Sequence, residues 1–171
     1  MRRAWASAAI LCLALAGCQH SDSPDTGYAA ASVHTAASST CTVVAGKADR
    51  RCTPGVTNPG VTQANIVTTI CVRGWTATVR PPASYTTALK RQQMIAYGET
   101  GPVSGYEEDH QIPLELGGAP RDPRNLWPEP WNGAQGAHTK DQTENSLHRS
   151  VCSGAMRLAD AQAQMVQQWT H

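Results

Sequence analysis

The strongest constraint on this chain is a set of four cysteines, Cys41, Cys52, Cys71 and Cys152, that follow what reads as an export signal. Arg2 and Arg3 make a positive start, and Ala4 to Ala16 is an apolar run containing Ile10, Leu11, Leu13 and Leu15. That is the layout of a secretory signal, and the run is too short to serve as a permanent membrane-spanning helix. Export places the cysteines in an oxidising compartment, where four thiols suggest two disulfides. Three pairings are possible and sequence alone does not choose among them. We favour Cys41 with Cys52 and Cys71 with Cys152, because the second would tie the N-terminal half to a helix near the C-terminus. The alternative is a zinc site, but no pair has the Cys-x-x-Cys spacing usual for a zinc knuckle.

The apolar run ends in Leu15-Ala16-Gly17-Cys18, which resembles a bacterial lipobox. By that resemblance residues 1–17 are a lipoprotein signal peptide, Cys18 is lipidated, and the product is exported to the cell membrane or outer envelope, outside the cytoplasm. An ordinary signal peptide and an N-terminal membrane anchor are the alternatives. Residues 18–40 are rich in Ala, Ser, Thr and Asp, with only Tyr28 and Val33 large and apolar, so they read as a flexible tether. Residues 41–171 then make one domain.

Net charge excludes little. Losing Arg2 and Arg3 leaves 12 Lys and Arg against 13 Asp and Glu. The distribution says more: Lys47 to Arg91 holds seven basic residues against Asp49 alone, and Glu99 to Glu129 holds seven acidic residues against Arg121 and Arg124. A basic first half suits a phosphate backbone and an acidic second half suits a metal; an ordinary solvated surface with chance asymmetry is the alternative.

Turn signals at Cys52-Thr-Pro-Gly55 and Asn58-Pro-Gly60 precede two β-branched stretches, Ile66 to Val72 and Trp75 to Val79, which predict short strands. Helices are predicted over Ser84 to Tyr97, with Leu89, Met94 and Ile95 as apolar positions; over Thr139 to Cys152, with Thr139 and Gln142 as a capping box; and over Leu158 to Trp169. Between the first two helices, a strand through His110, a long turn at Gly117-Gly118 and a strand from Asn125 predict a hairpin. The order is β, β, α.

Asp109-His110, then Ile112-Pro113-Leu114, Gly117-Gly118 and Asn125-Leu126, stand in an order and spacing that resembles the HNH endonuclease family, with its ββα-metal fold. The resemblance covers about residues 106–145. Residues 41–105 and 155–171 also resemble a wider group of secreted actinobacterial proteins, through Cys-Thr-Pro-Gly, Val-Arg-Pro-Pro and Asn-Leu-Trp-Pro-Glu. That second likeness implies no activity.

The HNH resemblance implies a small, disulfide-stapled α+β domain that hydrolyses phosphodiester bonds of DNA or RNA with a divalent metal (Mg, Mn or Zn). His110 would be the general base, since neutral imidazole accepts a proton near its ordinary pKa. Asn125 would bridge the hairpin and orient His110. Asp109 and His138 would ligate the metal, which acts as a Lewis acid. The third element departs from the family, because His138 precedes Lys140 by two positions rather than three; His148 is the substitute. Adjacent strand residues face opposite ways, so Asp109 and His110 need a distorted strand end to meet. Two rivals stand beside the enzyme. One is a catalytically silent binding module on the same scaffold, and the other is a cell-envelope protein using Trp127 and Trp131 as contacts. Nucleic acid and the membrane, through Cys18, are the expected partners, and no protein partner is predictable.

Overall fold

The computed structural model describes residues 40–171, so the expected signal peptide, Cys18 and almost all of the expected tether lie outside the described residues. The chain from residue 40 onward is an α+β domain closed by two disulfides, Cys41–Cys52 and Cys71–Cys152. These are the favoured pairings, and they are consistent with an extracytoplasmic location. Among the described residues no helix is long and apolar enough to cross a membrane.

The first departure from expectation is in residues 63–79. Neither predicted strand exists: Gln63–Thr68 is a 3-10 helix and Trp75–Val79 a short α-helix, α1. Thr62 and Asn65 cap each other's backbone and start a helical turn, after which Ile66 and Ile70 are buried one turn apart. β-branched composition is a weak preference, and burial against the helices behind this segment overrides it. Helix α2, Ala83–Ala96, starts behind Pro82, whose missing N–H costs nothing at a helix start, and stops before Gly98 at φ +68°. Of its expected core positions Met94 is buried, whereas Ile95 is exposed.

Strands β1, Tyr106–His110, and β2, Leu126–Pro130, form an antiparallel pair in which Asp109 faces Trp127 and His110 faces Leu126. Helix α3, Ala137–Cys152, follows, and α4, Leu158–Trp169, ends the fold with the predicted bounds. Helix α3 begins two residues before the predicted start. Gly136 is the N-cap, where a side chain would collide with the Asn132 carbonyl at 2.6 Å, and the Thr139 hydroxyl donates to the Gly133 carbonyl instead of capping.

The main core packs Leu147 and Val151 of α3 and Leu158, Met165 and Trp169 of α4 against Ile66, Ile70, Ile112 and Leu116. A second cluster joins Tyr97 and Trp127, ring centroids 5.7 Å apart, to Ala48 and Cys41. Trp127 is fully buried. It therefore offers no contact surface, which removes half of the envelope-contact reading; Trp131, half-buried, lies against His138 with ring centroids 5.3 Å apart.

Candidate functional site

The connection from β1 to β2 is shaped by two glycines and one asparagine. Gly117 adopts φ +71°, a left-handed conformation open to glycine. At Gly118 a Cβ would lie 1.7 Å from the Ile112 carbonyl oxygen, so the two backbone segments touch as only glycine permits. Asn125 is fully buried where that loop returns. Its Oδ1 accepts from the N–H groups of Ile112 and Val56 at 2.9 and 3.1 Å, and its Nδ2 donates to the carbonyls of Ile112 and Ala119 at 3.0 and 3.1 Å. All four bonds go to backbone and none to the His110 ring. Asn125 acts on His110 through the loop, since Ala119 precedes the residue that holds the imidazole.

That residue is Pro120. The His110 Nε2 lies 3.1 Å from its carbonyl oxygen. A carbonyl only accepts, so Nε2 must carry hydrogen, and in the neutral ring Nδ1 keeps its lone pair. Burial holds the His110 pKa below 6.5; Asp109 pulls the other way, and Lys140 and Arg80 add to the lowering. The ring is therefore a neutral proton acceptor at pH 7.

His110 lines a cleft of about 280 Å³ with Arg80, Lys90, Glu107, Glu108 and Trp131 on its walls. Arg80 follows α1 and Lys90 sits in α2, where its ammonium also donates to the Tyr106 carbonyl at 2.8 Å. Glu108, two positions before His110 on the same strand, is buried with neither oxygen partnered, and burial pushes its pKa up to about 8. Burial also raises Glu107, to about 7, with Asp109 and Asp141 adding to the effect.

Asp109 points to the other side of β1, toward α3. Its Oδ1 accepts the His110 N–H at 2.7 Å and its Oδ2 accepts from the Lys140 ammonium at 2.6 Å. Lys140 has no exposed side chain; it also donates to the His110 carbonyl at 2.7 Å and to Glu144, and Glu129 lies 3.9 Å away. Burial is the largest influence and would raise Asp109, but the Lys140 ammonium together with Glu129 and His110 outweighs it and holds this carboxyl at about 2. Burial raises Glu129 and Glu144 despite the same ammonium, and both Glu129 oxygens are buried without a partner.

Sequence reading overlooked this charged centre. In the structure Ala137, Lys140, Glu144, Leu147 and Val151 are the buried stripe of α3, and two of the five are charged. Nor does the structure gather Asp109 and His138 into a cluster. His138 is exposed, and among the described residues the only three His, Cys, Asp or Glu donors within 4.8 Å of one another are Cys71, His148 and Cys152. That group could bind a metal, although its two sulfurs are joined in the disulfide. His148 Nε2 lies 2.9 Å from the Ile70 carbonyl and 3.3 Å from Cys152 Sγ, and its Nδ1 lies 3.9 Å from Glu115. Comparison of the chain with family models, with curated proteins and with solved structures finds no match.

Proposed function

We propose that this protein is an exported, lipid-anchored endonuclease of the HNH type, hydrolysing phosphodiester bonds of nucleic acid. The observation that carries the reading is the His110 ring: its Nε2–H is committed to the Pro120 carbonyl, which leaves Nδ1 as the proton acceptor on a wall of a cleft that also bears Arg80 and Lys90. Those two cations suit a phosphate backbone, and a neutral, positioned imidazole suits removal of a proton from an attacking water. Asn125 and Gly118 hold the loop that fixes Pro120, so they are positioning residues.

The donors around Asp109 do not form a ready divalent-cation site: Asp109 faces α3 rather than the His110 cleft, its Oδ2 is paired with Lys140, and His138 is exposed and not gathered beside it. Glu129 and Glu144 lie beside the Asp109–Lys140 pair, and both Glu129 oxygens lack hydrogen-bond partners. The HNH resemblance implies Asp109 and His138 as ligands of Mg, Mn or Zn, and Asp109 would first have to leave Lys140 to take that role.

One observation favours the silent binding module: Oδ2 of Asp109 is already paired with Lys140. A plasmid- and RNA-degradation assay of the full-length protein with Mg²⁺ or Mn²⁺ decides between them. The enzyme requires chelator-sensitive cleavage that His110→Ala lowers by about two orders of magnitude or more, the usual cost of losing a positioned base. Nucleic-acid binding without cleavage of any single- or double-stranded substrate from pH 6 to 9 would leave only the module.

A further inference from the structure

The two cysteines nearest the C-terminal helices do more than close a loop. We infer that the Cys71–Cys152 disulfide and a thiolate–imidazole metal centre are alternative states of one site, in which Cys71, Cys152 and His148 take a soft divalent cation of the zinc class once a dithiol has reduced the bridge. This inference is independent of the nuclease reading.

The geometry is drawn from three parts of the fold. His148 and Cys152 stand four positions apart on α3, hence on one face, and Cys152 Sγ is 3.3 Å from His148 Nε2. Cys71 arrives from the segment behind the 3-10 helix, where the Ile70 carbonyl already contacts the same imidazole nitrogen at 2.9 Å. One ligand atom from each residue falls within 4.8 Å of the others. Tetrahedral zinc with bonds of about 2.3 Å to sulfur and 2.0 Å to nitrogen needs its sulfurs roughly 3.8 Å apart. With the two Cα atoms 5.6 Å apart, side-chain rotation supplies that separation without moving the backbone.

Beyond the ligands, the Glu115 carboxyl faces His148 Nδ1 at 3.9 Å, the outer partner that ligating histidines usually have. Cys152 is exposed, so a reductant and an ion can reach it and water can fill the fourth position. Two sulfurs and one nitrogen select zinc-like ions over Mg or Mn, which separates this site from the oxygen-rich surroundings of Asp109.

The steps balance. The external dithiol gives two electrons and two protons to the Cys71–Cys152 bond and leaves as its own disulfide. Metal binding then releases those two protons as both thiols become thiolates. His148 ligates through the Nε2 lone pair, its ring hydrogen passing from Nε2, where it serves Ile70, to Nδ1, where it faces Glu115.

Site-resolved alkylation tests this. The full-length protein is reduced with a phosphine, then treated with iodoacetamide with and without Zn²⁺, and each cysteine is followed by peptide mass spectrometry. Zn²⁺ should slow alkylation of Cys71 and Cys152 at least tenfold and leave Cys41 and Cys52 unchanged; Mg²⁺ should protect neither. His148→Ala should abolish protection, and His148→Cys, which restores a third soft ligand, should return it. Equal protection of all four cysteines, no protection of Cys71 and Cys152, or protection that survives His148→Ala overturns the site. So does loss of the near-ultraviolet circular dichroism on reduction that Zn²⁺ fails to restore.

Discussion

Replacing Lys140 with methionine keeps the length of the side chain and deletes its charge, and the surroundings set the cost. The ammonium is fully buried and answers Asp109 at 2.6 Å, the His110 carbonyl at 2.7 Å and Glu144. The displacement of Asp109 from 3.8 to about 2 by itself corresponds to about 2 kcal/mol of stability at neutral pH. Removing one member of a buried ion pair typically costs 3–5 kcal/mol, since the remaining charge is uncompensated. Lys140→Met should therefore destabilise the fold by about 3 kcal/mol at pH 7. The sign with pH follows from Asp109, whose folded pKa is depressed: its contribution is complete above the unfolded value near 4 and is lost as pH falls toward 2. The difference between variant and wild type should accordingly shrink on going from pH 7 to pH 3. Urea denaturation at both pH values measures it. A variant within about 1 kcal/mol of wild type at pH 7, or a penalty that grows on acidification, would refute the claim that Lys140 is held by ionised partners.

Three further outcomes are expected. Because burial lowers His110, the acid limb of kcat/KM for nucleic-acid cleavage should have its midpoint below 6.5; a limb at or above that value contradicts a neutral imidazole base. Gly118→Ala should cost roughly 3 kcal/mol or more, because its Cβ would meet the Ile112 carbonyl, whereas Gly74→Ala, with φ +84° and no neighbour within 4 Å, should cost only about 1 kcal/mol in the same denaturation assay. Chain separations of 81 and 11 residues imply loop-closure stabilisations of about 4.5 kcal/mol for Cys71–Cys152 and about 2.8 kcal/mol for Cys41–Cys52. Replacing each pair by alanine should lower Tm in that order, and equal losses would show that loop length does not govern them.

What the sequence made legible was local and periodic. Leu158, Ala161, Met165 and Trp169 repeat at helical spacing, and the helix runs between the predicted residues because nothing in its neighbourhood competes with that stripe. The hairpin was legible from Gly117-Gly118 and Asn125, residues with a backbone task that few others perform. The failures came where tertiary contacts outrank composition. Ile66 to Val72 reads as a strand until Ile66 and Ile70 find a helical surface to bury against, and among the described residues no strand lies beside them to pair with. The burial of Lys140 and Glu144 is not anticipated by the sequence, because lysine and glutamate are almost never fully buried unless paired, and the partners Asp109 and Glu129 arrive from the two strands of the hairpin. A hydrophobic-stripe rule has no means of seeing a charge that belongs inside.

The alternation of β1 is the link between that buried centre and the cleft. Asp109 and His110 are neighbours that face opposite ways, so the strand carries a charge-holding group into α3 and a proton-accepting group into the space beside Arg80 and Lys90. The two remain electrostatically joined. Asp109 raises His110 and Lys140 lowers it, against the larger lowering by burial. Removing the carboxylate charge with Asp109→Asn should therefore move the acid limb of cleavage down, and Lys140→Met should move it up. Each change also alters stability, but a merely structural loss would diminish the amplitude of both profiles without displacing their midpoints in opposite directions. Opposed shifts thus distinguish a base tuned across the strand from a histidine that is only packed there, and shifts of the same sign would disconnect the buried centre from the chemistry of the cleft.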